Sequence, residues 1–140
     1  MALPYHCIFC RIVSRDVPSY ILTEDEDCIA FMDINPVAPG HVLIISKHHA
    51  ENIFDIPAPT LQRIMPVVQR VALAVNAVFL PDGINLLQAN GPGAAQSVPH
   101  FHVHVVPRWS NDGLGMNWPL RPGERSAIEA NAERLRAVLR

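Results

Sequence analysis

The chain has 140 residues, 49% of them hydrophobic and 17% charged, with a formal charge of −2. That length suits one compact domain with a real core, and the composition excludes a disordered or fibrous chain. A polynucleotide partner would require a clustered basic excess to match its phosphates, which so small a net charge does not offer. No apolar run approaches the roughly 20 residues of a membrane span, and residues 1–15 hold no signal-peptide stretch. A cytoplasmic protein with no membrane or nucleic-acid partner is expected.

Three cysteines, an odd number, do not suit a secreted disulfide scaffold. Two of them stand as Cys7-Ile8-Phe9-Cys10, a spacing that fits a zinc half-site, a redox pair or two buried small residues. A redox pair should follow a strand in a βαβ unit, and none is predicted. The first clear strand is residues 28–32, which also places Cys28 in the core; it is cut off by Asp33-Ile34-Asn35-Pro36. After the Ala38-Pro39-Gly40 turn, residues 41–46 read as a mostly buried strand, hairpin-like with the first. From Pro59 to Phe79 apolar residues recur with helical period, and Pro66 inside that run predicts a kink or a segment end. Residues 84–89 and 100–106 are two further strands, joined by a Gly- and Ala-rich loop from Asn90 to Pro99. Ile128, Ala132, Leu135 and Leu139 mark a second amphipathic helix after the irregular stretch 109–123. The pattern is α+β, one antiparallel sheet with a helix packed on it.

Alternate residues of a strand share a face, so His100, His102 and His104 lie on one side and Phe101, Val103 and Val105 on the other. The apolar side belongs on the long helix, which leaves three imidazoles on a surface open to solvent or ligand. One metal ion cannot bind all three, because roughly 13 Å separates the first from the last along a strand and zinc bonds are near 2.1 Å. The other chemistry open to such a row is covalent: a neutral imidazole attacks phosphorus while its neighbours donate to the phosphate oxygens. Gly91, Gly93, Ala94 and Ala95 just upstream let backbone N–H groups approach an anion, and Gln96-Ser97 closes that loop.

With these residues in view, the chain resembles the histidine-triad (HIT) family. Its signature of three alternating histidines and closing apolar residues is matched throughout by His100-Phe101-His102-Val103-His104-Val105-Val106. Gln96-Ser97-Val98-Pro99, Pro107-Arg108, the Cys7–Cys10 run, Val17-Pro18-Ser19, the segment from Ala30 to Pro36 and Pro39-Gly40-His41 extend the likeness over residues 6–108. The resemblance implies a single HIT domain over residues 1–140, with about five antiparallel strands on a long helix and a second helix within residues 109–140. It implies a homodimer that binds a purine nucleotide, an AMP or GMP conjugate, and cleaves its α-phosphate from a leaving group. Phosphoramidates and dinucleoside polyphosphates are the substrate classes implied, with no catalytic metal or organic cofactor.

By position, the resemblance makes His102 the nucleophile and His104 a phosphate-oxygen partner, while His100 supports the nucleophile's surroundings. It places Ser97 near the leaving group or a phosphate oxygen, Asp33 on the ribose, and Phe9, Ile12, Val17 and Ile34 around the base. Asn90 and Gln96 fall in the polar loop beside the phosphates. Ala95 stands where the family commonly has Gly, a strained choice if that backbone needs a positive φ. Some bacterial members carry a structural Cys2His2 zinc site, and the matching positions are Cys7, Cys10, His49 and His100. Trp109 and Trp118 would stack on a second base or close the dimer interface. Two other functions compete: a hydrolase with catalytic zinc on the triad, and a nucleotide-binding regulatory module with vestigial catalysis.

Overall fold

The computed structural model describes residues 6–115 and 119–139, so the reading of Trp118 lies outside the described residues. Strands β1 (Ile21–Glu24), β2 (Cys28–Met32), β3 (Val42–Ser46), β4 (Gly83–Leu87) and β5 (His102–Arg108) form one antiparallel sheet in the order β1-β2-β3-β5-β4. Among the described residues three α-helices accompany it, α1 (Ile8–Val13), α2 (Ala58–Phe79) and α3 (Arg125–Arg136). No described helix is long and apolar enough to cross a membrane.

The sheet is covered on both faces, which is why β2 and β3 read as unbroken apolar runs. One face carries Cys28, Ala30, Val42, Ile44, Phe101, Val103 and Val105 against Ile64, Val67, Val68, Val71 and Val75 of α2. The other carries Ile29, Phe31, Leu43 and Ile45 against Cys7, Phe9, Cys10 and Ile12 at α1. The helix α1 was not predicted from sequence: six residues capped by Cys7 are too few for a periodic pattern. Its presence corrects the expected open histidine surface, since His100 is fully buried and His102 only 4% exposed.

Two other expectations change. Helix α2 runs unbroken through Pro66. Proline removes the partner of the Gln62 carbonyl, but Gln62 and Pro66 are both exposed, so water can satisfy it. The strand expected from His100 begins at His102, because Phe101 donates its N–H to the Ala50 carbonyl at 2.7 Å in the approach to the sheet. Helix α3 forms where the amphipathic pattern placed it, yet every residue but Ala132 is exposed, and Leu139 lies beyond its end.

Gly40 fixes the turn that delivers His41 to β3. It holds φ +90, and a Cβ there would meet the Phe79 ring at 2.8 Å, so the turn is locked against the end of α2. At the same end of the sheet, Arg108 pairs with both carboxylate oxygens of Asp112 at 2.7 and 3.1 Å. It also donates to Asn85 and to the Leu114 carbonyl, which ties the segment after β5 back to β4.

Candidate active site and metal centre

A cavity of about 510 Å³ opens between α1 and the histidine-bearing face of the sheet. Phe9, Ile12, Val17, Asp33, Ile34, Ser97, His102 and His104 all line it, so eight residues named from sequence converge there from four parts of the chain. Phe9 sets its edge against Phe31 and His102, with ring centres 5.8 and 5.1 Å apart. An apolar slot thus runs up to the imidazoles, with the Asp33 carboxylate at its rim.

Asn90 and Gln96 do not line this cavity; they brace the loop beside it. Asn90 and Gln88 exchange amide hydrogen bonds at 2.7 and 2.8 Å, and the Asn90 oxygen also accepts the Ile53 N–H. The Gln96 oxygen accepts the Gly91 N–H at 2.7 Å, and its amide nitrogen donates to the Glu51 and Val98 carbonyls. Between them Gly91 takes φ 88 and Ala95 φ 62, so the backbone at 95 is left-handed although alanine occupies it.

The tautomers of the row follow from its main-chain partners. A carbonyl can only accept, so His102 donates Nδ1–H to the His100 carbonyl at 2.6 Å, and its Nε2 carries the lone pair. His100 donates Nε2–H to the Ser46 carbonyl at 2.6 Å, which leaves its Nδ1 unprotonated. His41, unassigned in the sequence reading, completes the row. Its Nδ1 accepts the Val37 N–H at 3.2 Å, so its Nε2–H donates to His104 Nδ1 at 2.8 Å, with Asp33 Oδ2 3.3 Å away. His104 in turn keeps its proton on Nε2. A histidine opening a buried strand beside the triad strand was the available signal, and the pairing of β3 with β5 brings the two together.

All four rings are held neutral. Burial lowers the His104 pKa to about 4, helped by His102 and His41 and opposed by Asp33. Burial likewise lowers His100 to about 4, against its bond to Ser46. His102 and His41 are shifted downward too, burial outweighing the bond to the His100 carbonyl at His102 and the pull of Asp33 at both.

The unprotonated Nδ1 of His100 faces a second set of donors. It lies 3.3 Å from Cys7 Sγ, 3.5 Å from Cys10 Sγ and 3.2 Å from His49 Nδ1, and Cys10 Sγ is 3.2 Å from His49 Nδ1. The four donor atoms lie within 4.8 Å of one another. A tetrahedral zinc with bonds of 2.0–2.3 Å has edges of roughly 3.3–3.8 Å, close to this set. The Ser46 carbonyl that fixes His100 is the outer partner such a ligand requires. Burial, with Cys7 beside it, pushes the Cys10 thiol up to about 12, so a thiolate there needs a cation.

Asp33, His41 and His104 form another group of potential ligands. The Val37 N–H decides against a metal there, because it commits His41 Nδ1 as acceptor and so keeps a proton on the Nε2 that an ion would need.

The family model of the HIT domain matches residues 14–111. The adenosine 5'-monophosphoramidase of Candida albicans is 38% identical, with 99% of this chain and 95% of that protein covered. The crystal structure of a HIT family protein from Bacillus subtilis superposes with a TM-score of 0.91 at 35% identity, covering 96% of this chain and 98% of its own. A zinc-bound histidine-triad protein from Mycobacterium smegmatis gives a TM-score of 0.74 at 35% identity, covering 94% and 96%. A match across the sheet, the long helix and the histidine row, joined by these likenesses, means that the chain belongs to the HIT domain family.

Proposed function

We propose that the protein hydrolyses purine nucleotide conjugates at the α-phosphate through a nucleotidyl intermediate on His102. The observation that carries this reading is the 2.6 Å bond from His102 Nδ1–H to the His100 carbonyl, which presents the Nε2 lone pair at the cavity. Nε2 forms a bond to phosphorus as the bond to the leaving group breaks with its electron pair; a departing amine takes up a proton from solvent, which the attacking water of the second step gives back, and a departing phosphate leaves as its anion. Ser97, which lies on the cavity wall, serves that end of the substrate. The phosphorylated ring keeps its Nδ1–H on the carbonyl, so the positive charge it gains is spread into the main chain. Water then attacks phosphorus, freeing the nucleoside monophosphate and restoring the neutral imidazole.

His104, with its proton on Nε2, donates to a phosphate oxygen, and His41 holds that tautomer through the 2.8 Å bond. Phe9, Ile12, Val17 and Ile34 clasp the base, Asp33 takes the ribose hydroxyls, and the loop braced by Asn90 and Gln96 lends backbone N–H groups to the phosphate. The phosphoramidase activity named for the Candida albicans relative supports the reaction class. Cys7, Cys10, His49 and His100 would hold a structural zinc that pins α1 to the sheet, and no step of the reaction passes through it.

The whole chain is read as one domain acting as a homodimer, and the apolar surface left on α2 at Met65 and Leu73 and on the edge strand β4 at Leu86 supports the latter. Replacing His102 by Ala or Asn should abolish turnover while circular dichroism reports an intact fold. Normal turnover by either variant would sink the reading.

A further inference from the structure

His100 belongs to two sites at once. Its ring faces Cys7, Cys10 and His49, and its carbonyl holds the nucleophile two residues on. The rest of the residue is fixed by main chain: its N–H donates to the Val98 carbonyl at 2.8 Å, and its Nε2–H to Ser46 at 2.6 Å. Nδ1 is the one edge whose hold depends on side chains alone. Thiols are weak donors and weak acceptors, so without a shared cation Cys7 and Cys10, at 3.3 and 3.5 Å, grip it loosely and the His49 Nδ1 at 3.2 Å is its firmest side-chain neighbour.

A second path runs through α1. A helix of six residues has no stability of its own. Cys7 caps it and accepts the Cys10 N–H, while Phe9, between the two cysteines, sets its edge against His100 and His102 with ring centres 5.7 and 5.1 Å apart. The side chains that hold the helix therefore also hold the ring that packs on the nucleophile.

We propose that Cys7, Cys10 and His49 are positioning residues for the reaction, because their joint hold on His100 Nδ1 and on α1 sets where the nucleophilic nitrogen of His102 stands. The inference rests on the reading of His102 as nucleophile and of the cluster as a zinc site. A reacting atom displaced by about 1 Å costs on the order of 10²-fold in rate, so losing the grip acts on kcat whatever it does to KM.

The test compares wild type, His49→Ala and His49→Cys for zinc content, kcat, and long-range proton–nitrogen spectra of the imidazoles with adenosine 5'-monophosphate bound. His49→Ala should lose zinc, drop kcat by about tenfold or more, and replace the single Nδ1–H tautomer of His102 by a mixture. His49→Cys, which supplies another zinc ligand, should restore all three. A folded, zinc-free His49→Ala with the wild-type His102 spectrum and kcat overturns the proposal. Should His49→Ala not fold, cadmium in place of zinc in the wild-type chain decides: its longer bonds should shift the His102 resonances and lower kcat, and unmoved resonances overturn the coupling. A chain that turns over no conjugate defeats the hydrolase reading, while the His102 spectrum still decides the coupling.

Discussion

His100 and His104 sit four residues apart on one segment and both carry the proton on Nε2, yet their neighbours give opposite edges of the two rings to the site. The Ser46 carbonyl takes the Nε2–H of His100 and turns a bare Nδ1 toward two thiols and an imidazole, a metal-binding arrangement. His41, itself fixed by the Val37 N–H, donates to the Nδ1 of His104 and leaves a proton on its Nε2, a phosphate-binding arrangement. In the proposed function the same side chain serves as a ligand in one place and a hydrogen-bond donor in the other, and main-chain groups make the choice.

The largest effect expected at the His104 end comes from His41→Asn, which removes the donor that sets the His104 tautomer. Turnover should fall by roughly 10²-fold, the lower range for a lost proton-handling group, with zinc content unchanged. A drop in zinc content would mean that the two clusters are not independent. Gly40→Ala strikes the same end through the backbone. A left-handed φ and a clash with Phe79 should cost about 2–4 kcal/mol, read as a lower denaturant midpoint, and an unaltered midpoint would show that the turn does not lock His41.

Protonation treats the two ends alike, since burial lowers both His100 and His104 to about 4. His104 has its pKa lowered to about 4 in the folded protein, below the ordinary 6.5, so the unfolded chain binds more protons between those values. Stability from this group is therefore full above about 6.5 and is lost as pH falls towards 4. Melting temperature should fall across that window more steeply in wild type than in His104→Asn, and parallel curves would refute the burial argument. The smallest effect belongs to Ala95→Gly. Relief of the left-handed strain, about 1–2 kcal/mol, is offset by the freedom glycine adds to the unfolded chain, about 0.4–1 kcal/mol. A slight gain in stability is expected, and a clear loss would show that the alanine methyl is needed.

Four of the five strands were legible from their apolar runs, and α2 keeps a helical period for 22 residues, whereas β1, four mostly exposed residues, shows no such run and was not read. The site was legible where chemistry-bearing residues cluster in sequence, as in His100 to His104 and Cys7 to Cys10. Helix α1 was not, since its place comes from Phe9 and Ile12 packing on Phe31 and Ile45, contacts that no local pattern reveals. His41 was missed for the same reason: only the register of β3 against β5 brings it to His104. Asn90 and Gln96 were recognised as residues of the loop, but their role in bracing it depends on partners at Glu51, Asn52 and Ile53. The apolar stripe of α3 predicted a helix correctly and could not say whether this chain covers it.

The central claim is that His102 Nε2 bonds to phosphorus. Intact-mass measurement after acid-free quenching of the protein with adenosine 5'-phosphoramidate tests it most directly. A transient species heavier by one nucleotidyl group, present in wild type and lost in His102→Ala, is the predicted result. Turnover by wild type with no such species at any time, or the same adduct on the His102→Ala chain, would contradict it.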